Sequence, residues 1–443
     1  MKPLSIVRAA TAAVALALTC QLACGQDPAV QTVDSGDKPA MFVEGDGQAH
    51  LVYTRDNKLW YATKTRSATE WQIRDLGSCS DINDIAVTMT PDRKLHVVCA
   101  RYNNDWNADN RGRLMYGTVQ PSGDFSMKQI RASRVEFESL TLDGTSDGEL
   151  YLAYIRGSAH SPHPIMIRHT SGGEWQEDVL VYSQGYNSVD LVVDSDNNVH
   201  LSFYDLSGGG ILYNFRTGDE AGPIEKIEPD WAGGQMETMV TSVTVNSLNE
   251  PFVSYVGSID NDYLENLKYA WKKDGKWYYE KADIGLSTGM PNKIIITPSG
   301  VPGFGYIHNP SDPDQVRYSE KEGETWQRKI VESYTGWTTE IETETDDNGY
   351  IHMAWYAGDV RYALLQPLVL ITSDPDLLDF GVPATNESRT LALTLKNISD
   401  RTVAVDNIAI NDPRFSFSTS SFSLQSQAEQ TVQVRFTQTG ADG

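Results

Sequence analysis

One short pattern recurs seven times along this chain, and it constrains the fold more than any other feature. It reads His50-Leu-Val-Tyr53, His96-Val-Val-Cys99, Tyr151-Leu-Ala-Tyr154, His200-Leu-Ser-Phe203, Phe252-Val-Ser-Tyr255, Gly303-Phe-Gly-Tyr306 and His352-Met-Ala-Trp355. Successive first positions are 46, 55, 49, 52, 51 and 49 residues apart. Each copy follows an alternating apolar run and a turn, best seen at 44–47, 193–198 and 345–349. A second alternating run follows at 59–63, 114–118, 165–169, 211–215, 267–271, 316–320 and 360–364. Most units then close on a turn and an aromatic: Trp71, Phe125, Trp175, Trp277 and Trp326. Period-two alternation between Gly, Asp and Asn turns predicts four short strands per unit. A repeat of about 50 residues with four strands is a propeller blade. One blade cannot bury its own sheet faces, so the aromatics are expected between neighbouring blades.

The sequence thus predicts an all-β chain with a seven-bladed β-propeller over residues 26–367. The seventh unit has only three strands before it runs into 364–370. The run at 29–33 has no unit of its own. It is expected to supply the missing outer strand and close the ring.

The first 25 residues read as a signal peptide. Lys2 and Arg8 precede an apolar run from Ala9 to Leu18, about ten residues where a bilayer needs roughly 20. Leu22-Ala23-Cys24 is similar to a bacterial lipobox, with Gln21 where Leu is usual. Lipidation at Cys24, with peripheral membrane attachment, and ordinary cleavage near Gly25 both remain open. Either one implies an extracellular or cell-surface protein, or an outer-membrane or periplasmic one if lipidated. Cys79 and Cys99 are the cysteines beyond the leader. In an oxidising compartment they pair or stay as two buried thiols. Without clustered His they make no zinc site.

From 371 to 443 the blade pattern stops, and short alternating strands predict an immunoglobulin-like sandwich. Leu378-Asp-Phe-Gly381, Leu393-Thr-Leu-Lys-Asn397, Phe415-Ser-Phe417 and Val434-Arg-Phe-Thr437 resemble the choice-of-anchor D group of bacterial surface domains, related to Hydin-type domains. That group usually continues for another strand or two. The resemblance implies a spacer near a surface anchor. The blade units, best seen at 193–204, resemble propeller repeats of secreted bacterial proteins and are similar to sialidase-type repeats. Ser319-Glu-Lys-Glu-Gly-Glu-Thr-Trp326 matches the Ser, Gly and Trp of a sialidase Asp-box but has Lys321 at the Asp position. Residues 171–175 and 274–277 are shorter relics. Sialidases have six blades and a Phe-Arg-Ile-Pro segment that is absent here, so sialidase activity is not carried over.

The formal charge is −24, from 36 basic against 60 acidic residues. Removing the leader takes Lys2 and Arg8 and leaves 34 against 60, or −26. Nucleic-acid binders need a strong basic footprint, so that class is excluded. Against this acidity, one repeat position stands out. Two residues past the motif aromatic lie Arg55, Arg101 and Arg156 in three adjacent units, then Asp205, Gly257, His308 and Ala357. Nearby loops add Trp106, Arg111, Arg113, His160, His163, Tyr186, Trp231, Tyr334 and Trp337. A crescent of guanidiniums reads carboxylates or sulfates through its bidentate fork, and Trp and Tyr suit sugar faces. The opposing expectation is that each Arg pairs with an acid such as Asp105, Glu136 or Glu138.

His50, His96, His200 and His352 recur at one position in separate blades and are expected to be structural. The turn Asp194-Ser-Asp-Asn-Asn198 is oxygen-rich, as calcium sites are, but Asp and Asn also favour hairpin tips. No cofactor is expected. No hydrolase elbow, zincin, phosphate-loop or dinucleotide motif occurs. The leading function is a secreted or surface-anchored binding propeller for a glycan, an anionic polysaccharide or a cell-surface protein. The alternative is a sialidase-like glycoside hydrolase or a polysaccharide lyase. For a hydrolase the carboxylate pair is Asp205 with Glu136 or Glu138. For a lyase the candidates are Arg101, Arg156, Tyr186 and His308. A third reading is a purely structural assembly protein.

Overall fold

The computed structural model describes residues 29–443 except 104–109, 121–123, 158–162, 170–173, 181–185, 206–209, 219, 229–239, 258–265, 284–287, 299, 310–312, 323–324, 337, 339, 367–370, 375–377, 379, 382, 398–401, 411, 427 and 440–443. At 4–9, 12–20, 163–169, 186–187, 372, 374, 404, 406–407 and 409–410 it describes the backbone alone. Among the described residues every regular element is a β-strand.

Residues 31–365 form seven antiparallel sheets of four strands, the fourth with its outer strand broken in two. The innermost strands are Asp37–Val43, Ile82–Met89, Phe137–Gly144, Tyr186–Val193, Thr241–Val245, Thr288–Ile296 and Ile341–Thr345. Each packs on the next, and Ile341–Thr345 packs on Asp37–Val43. The sheets therefore close into a propeller ring around a channel. Closure uses the N-terminal strand Gln31–Asp34, which pairs with Val360–Leu365 as the outer strand of blade 7. That strand lies within two residues of the expected 29–33. Val33 buries its side chain against a core shared with Tyr53 and Tyr362.

The recurring motif sits on the second strand of each blade, and its histidines explain the repeat. His200 Nδ1 meets Tyr213 Oη at 2.7 Å, and its Nε2 meets Asp194 Oδ2 at 3.0 Å. His50 joins Tyr61 and Glu44, at 2.7 and 3.0 Å. His96 joins Tyr116 and Thr90, at 2.8 and 2.7 Å. His352 joins Tyr362 at 2.8 Å and faces Asp346 at 3.6 Å. Each histidine thus ties the third strand to the hairpin turn before it. The structural expectation for these residues holds.

The hairpin turns repeat as well. In each blade the first turn residue donates to the fifth carbonyl, and the fourth donates back to the first, as Asp194 with Asn198 and Asn197 with Asp194. The fourth residue takes positive φ, 65° at Asn197 and 78° at Gly349, which suits Asn and Gly.

Closing tryptophans cross between blades. Trp71 packs edge-on against Tyr362 at 4.9 Å between centroids, Trp175 against Tyr116 at 5.3 Å, and Trp277 against Tyr213 at 5.0 Å. Trp326 meets Tyr269 of blade 5 at 5.6 Å. Among the described residues blade 4 has no such tryptophan. Its outer strand is split into Glu220–Ala221 and Glu225–Lys226 around Gly222 and Pro223, where Pro lacks a ladder donor.

The C-terminal residues form a two-sheet sandwich. One sheet holds Ile371–Asp374, Ser388–Asn397, Glu429–Thr437 and Phe415–Phe417. The other holds Val403–Ile410 and Phe422–Leu424 and is extended by Leu4–Ala9 and Ala12–Cys20. Phe380, Leu395, Val405, Phe415, Val432 and Phe436 share one core between them. Among the described residues no helix is long and apolar enough to cross a membrane.

Candidate functional site

Adjacent strands run antiparallel, so the start of each innermost strand lies at the same end as the second-to-third-strand loop. The connections between blades reach this face too, at one end of the channel. In five blades the innermost strand bulges at this end: between Asp37 and Ala40, Ile82 and Asp84, Glu138 and Thr141, Tyr186 and Val189, and Thr288 and Asn292. Lys38 and Ser139 take positive φ of 53° and 52° inside two of these bulges. Bulges re-aim side chains and concentrate near functional sites.

The bulges bring carboxyls to the channel mouth. Asp84 accepts from Ile85 N at 2.8 Å and from Leu140 N of blade 3 at 2.7 Å. Burial nevertheless pushes its carboxyl up to about 6. Glu138 is pushed up to about 7, first by desolvation among the bulged strands and then by Glu136 and Asp84. The residue as a whole is exposed. Glu136 and Asp84 are thus the two like charges that disfavour ionisation of Glu138.

Further acids stitch the innermost strands together. Asp143 accepts from Val193 N at 2.8 Å, and Asp190 from Val243 N at 3.0 Å. Each satisfies a free edge N–H of the next blade. Pairing register puts Ala40, Ala86, Thr141, Asp190, Ser242, Lys293 and Glu342 at one level of the channel. Lys293 Nζ lies 3.1 Å from both Asp190 oxygens. Burial alone would lower this ammonium, but Asp190, Glu342 and Glu344 outweigh it and raise it. Glu342 is pushed up to about 8 and Glu344 to about 7 by burial, against the opposing pull of Lys293. The channel cavity holds about 230 Å³ and is lined by all seven innermost strands.

Beside the mouth lies a cleft of about 560 Å³ whose lining includes Asp37, Arg55, Asp56, Cys79, Asp81 and Tyr356. The arginines expected to form a crescent are placed differently. Arg55 pairs with Asp34, which also accepts from Tyr53 Oη at 2.6 Å, and its guanidinium stacks on Trp60 at 3.4 Å. Arg156 faces Glu177 at 3.6 Å, a carboxylate already 2.5 Å from Arg131. Arg101 donates through Nε to Ser80 O at 2.7 Å and through Nη2 to Ser80 Oγ at 3.0 Å. Each side chain thus has partners beside its own strand end, and the cleft takes only Arg55. The physical reason is the acid excess: outer strands and blade connections offer carboxylates and hydroxyls within reach.

His308 is buried, with Nδ1 2.7 Å from Thr288 Oγ1; burial, then Arg317, lower its pKa. Asp205 ends the strand Val199–Asp205 and pairs in register with Tyr186. The acids acting on Glu138 are Glu136 and Asp84. The Tyr186 ring lies outside the described residues, as do Trp106, Trp231, Trp337 and Cys24. The oxygens of Asp194 accept from Asp196 N, Asn198 N, Asn198 Nδ2 and His200, so this turn uses them for its own backbone. Among the described residues no group of three or more His, Cys, Asp or Glu is placed to share a metal ion.

Asp84, Lys293, Glu342 and Glu344 escaped the sequence reading. Their signal was charge inside the innermost alternating runs, as in Ile341-Glu-Thr-Glu344, where a fully buried strand would be apolar.

No family model matches the chain, and no curated protein matches its sequence. Among solved structures it is similar to a polysaccharide lyase of family PL25, an ulvan lyase bound to -[GlcA(1-4)Rha3S]-, at 10% identity and a TM-score of 0.54. That match covers 77% of this chain and 94% of the lyase. A second structure of a PL25 ulvan lyase matches at 9% identity and TM-score 0.54, covering 77% of this chain and 94% of the lyase. The fold is an all-β propeller. At such identity the likeness is one of fold. An alpha-L-arabinanase of Penicillium chrysogenum complexed with arabinobiose aligns at 10% identity and TM-score 0.47, covering 79% and 98%.

Proposed function

We propose that this protein binds a glycan at the channel mouth, on the face carrying the Glu136–Glu138 pair. The exposed Glu138 carboxyl, raised to about 7 by burial and then by Glu136 and Asp84, carries this reading. At such a pKa the carboxyl both donates and accepts near neutrality, which suits sugar hydroxyls. The charge pattern favours a neutral glycan over an anionic one, because Arg55 and Arg156 face acids and the mouth itself is acidic. The propeller likeness to a lyase bound to an oligosaccharide supports a glycan as the ligand; that oligosaccharide is anionic, so the neutral preference rests on the charge pattern alone.

The test is a glycan array with the parent, Glu138→Gln and Asp84→Asn. Affinity is expected to fall about tenfold or more in Glu138→Gln, the loss of one charge-assisted contact. Equal binding by all three proteins overturns the reading.

The same pair favours a second reading, glycoside hydrolysis. A carboxyl raised to about 7 with further carboxyls beside it is the pattern of a general acid near its base or nucleophile. Turnover on a fluorogenic glycoside panel would then fall roughly a hundredfold or more in Glu138→Gln. No turnover by the parent on a broad panel removes this reading.

In the same proposal, the leader exports the chain. The C-terminal sandwich is an immunoglobulin-like spacer of the choice-of-anchor D type that presents the ring at the cell surface. Labelled-lipid incorporation that is lost in Cys24→Ala marks the lipid-anchored form. Its absence marks cleavage near Gly25.

A further inference from the structure

We propose that Cys79 and Cys99 form a reversible disulfide that locks the junction of blades 1 and 2 beneath the cleft. Cys79 lies in the connection leaving Gln72–Ser78, and Cys99 lies on Leu95–Tyr102, the second strand of blade 2. Both are free thiols, both are buried, and their Sγ atoms are 3.5 Å apart. Two surrounding contacts hold the pair in place. Cys79 N donates to Asn57 O at 3.0 Å. Arg101, two residues past Cys99, clamps Ser80, the residue after Cys79, through the two bonds described above.

Access is one-sided. Cys99 is fully buried, whereas Cys79 lines the cleft. A reagent in the cleft meets Cys79 first, with Cys99 behind it as the resolving thiol. The electrostatics agree. The Cys99 hydrogen bond, and then Arg101, lower the Cys79 thiol against the opposing effect of burial. The Cys79 contact and burial raise Cys99. Low-pKa thiols are the ones that attack.

The chemistry is thiol–disulfide exchange with a small disulfide donor. The Cys79 thiolate attacks one donor sulfur, forming a mixed disulfide and expelling a thiolate. Cys99 Sγ then attacks the Cys79 sulfur and expels the second thiolate. The two cysteine protons end on the two departing thiols, and two electrons reduce the donor. The closed loop 79–99 contains the innermost strand Ile82–Met89 and so Asp84. Oxidation therefore ties the strand that carries one mouth carboxyl.

The full chain is treated with oxidised glutathione or with dithiothreitol, digested without reduction and mapped by mass spectrometry. The expected product is a peptide pair joined through Cys79 and Cys99, two hydrogens lighter and released by dithiothreitol, with a higher Tm for the oxidised protein. Cys79→Ser should leave Cys99 unmodified, and Arg101→Gln should slow the reaction several-fold. Both cysteines recovered as free thiols, a persistent glutathione adduct on Cys79, or linkage to Cys20 or Cys24 overturns the proposal. These outcomes are read on the parent protein, so they stand even where a variant fails to fold, and they are independent of glycan binding.

Discussion

Replacing His200 with alanine probes how the repeat motif holds the ring together. His200 is 2% exposed. Its ring bonds Tyr213 and Asp194 and packs edge-on against Phe215 at 5.0 Å. Removing it orphans the Tyr213 hydroxyl, itself buried, at about 1–3 kcal/mol. Asp194 loses less, because two backbone amides and Asn198 Nδ2 still donate to it. The vacated volume adds on the order of 2 kcal/mol. The total is about 3–5 kcal/mol, a Tm fall of roughly 6–10 °C at about 2 °C per kcal/mol. Tyr213 also packs on Trp277 of the next blade, so the damage reaches the inter-blade contact. Calorimetry of parent, His200→Ala, Tyr213→Phe and the double variant measures the staple. Tyr213→Phe alone should cost about 1 kcal/mol, and the double should cost about 1 kcal/mol less than the sum. A His200→Ala cost under about 0.5 kcal/mol, or simple additivity, would refute the reasoning.

Other consequences are open to measurement. Asp34→Asn removes the charge facing Arg55 while leaving an oxygen for Tyr53, so binding of a sulfated oligosaccharide should strengthen in titration calorimetry; unchanged binding means Arg55 does not reach ligand. Glu342, held near 8, contributes stability that is present below the ordinary carboxylate range and lost as pH rises through 8. Glu342→Gln should therefore raise Tm at pH 9 and not at pH 4, and an equal shift at both counts against this assignment. Burial lowers His50 and His200, so their contribution is present above about 6.5 and lost as pH falls below it, steepening acid unfolding in the parent. A Cβ on Gly305 would lie 1.9 Å from Thr343 Oγ1 of blade 7, so Gly305→Ala should cost about 1–3 kcal/mol by denaturant unfolding, partly recovered by Thr343→Ala.

How much was legible beforehand differs between the ring and its site. The seven copies of the motif, the Asp and Gly turns and the closing tryptophans announced four-stranded blades. Each of these signals is local: a hairpin needs its turn residue, and a sheet face needs its aromatic. Even closure was readable, because a lone strand at 29–33 and a three-stranded seventh unit can satisfy their ladders only with each other. The arginines were also read at the right ends of their strands. Their partners were not, since Asp34 comes from the N-terminal strand and Glu177 from another part of blade 3.

What the chain determined by itself is therefore the blade, its repetition and the closing of the ring. Those features follow from backbone hydrogen bonding and from burial that repeats every turn. Only the tertiary structure decided the site. It bulged the innermost strands, set Glu136 against Glu138, and brought Lys293 to Asp190 across 103 residues. It also placed Cys79 against Cys99. Ring closure sets which side chains of separate blades share a level of the channel, and their charges acquire meaning only at those distances. A raised carboxyl, a held ammonium and a buried pair of thiols are properties of those neighbourhoods, which no single repeat encodes.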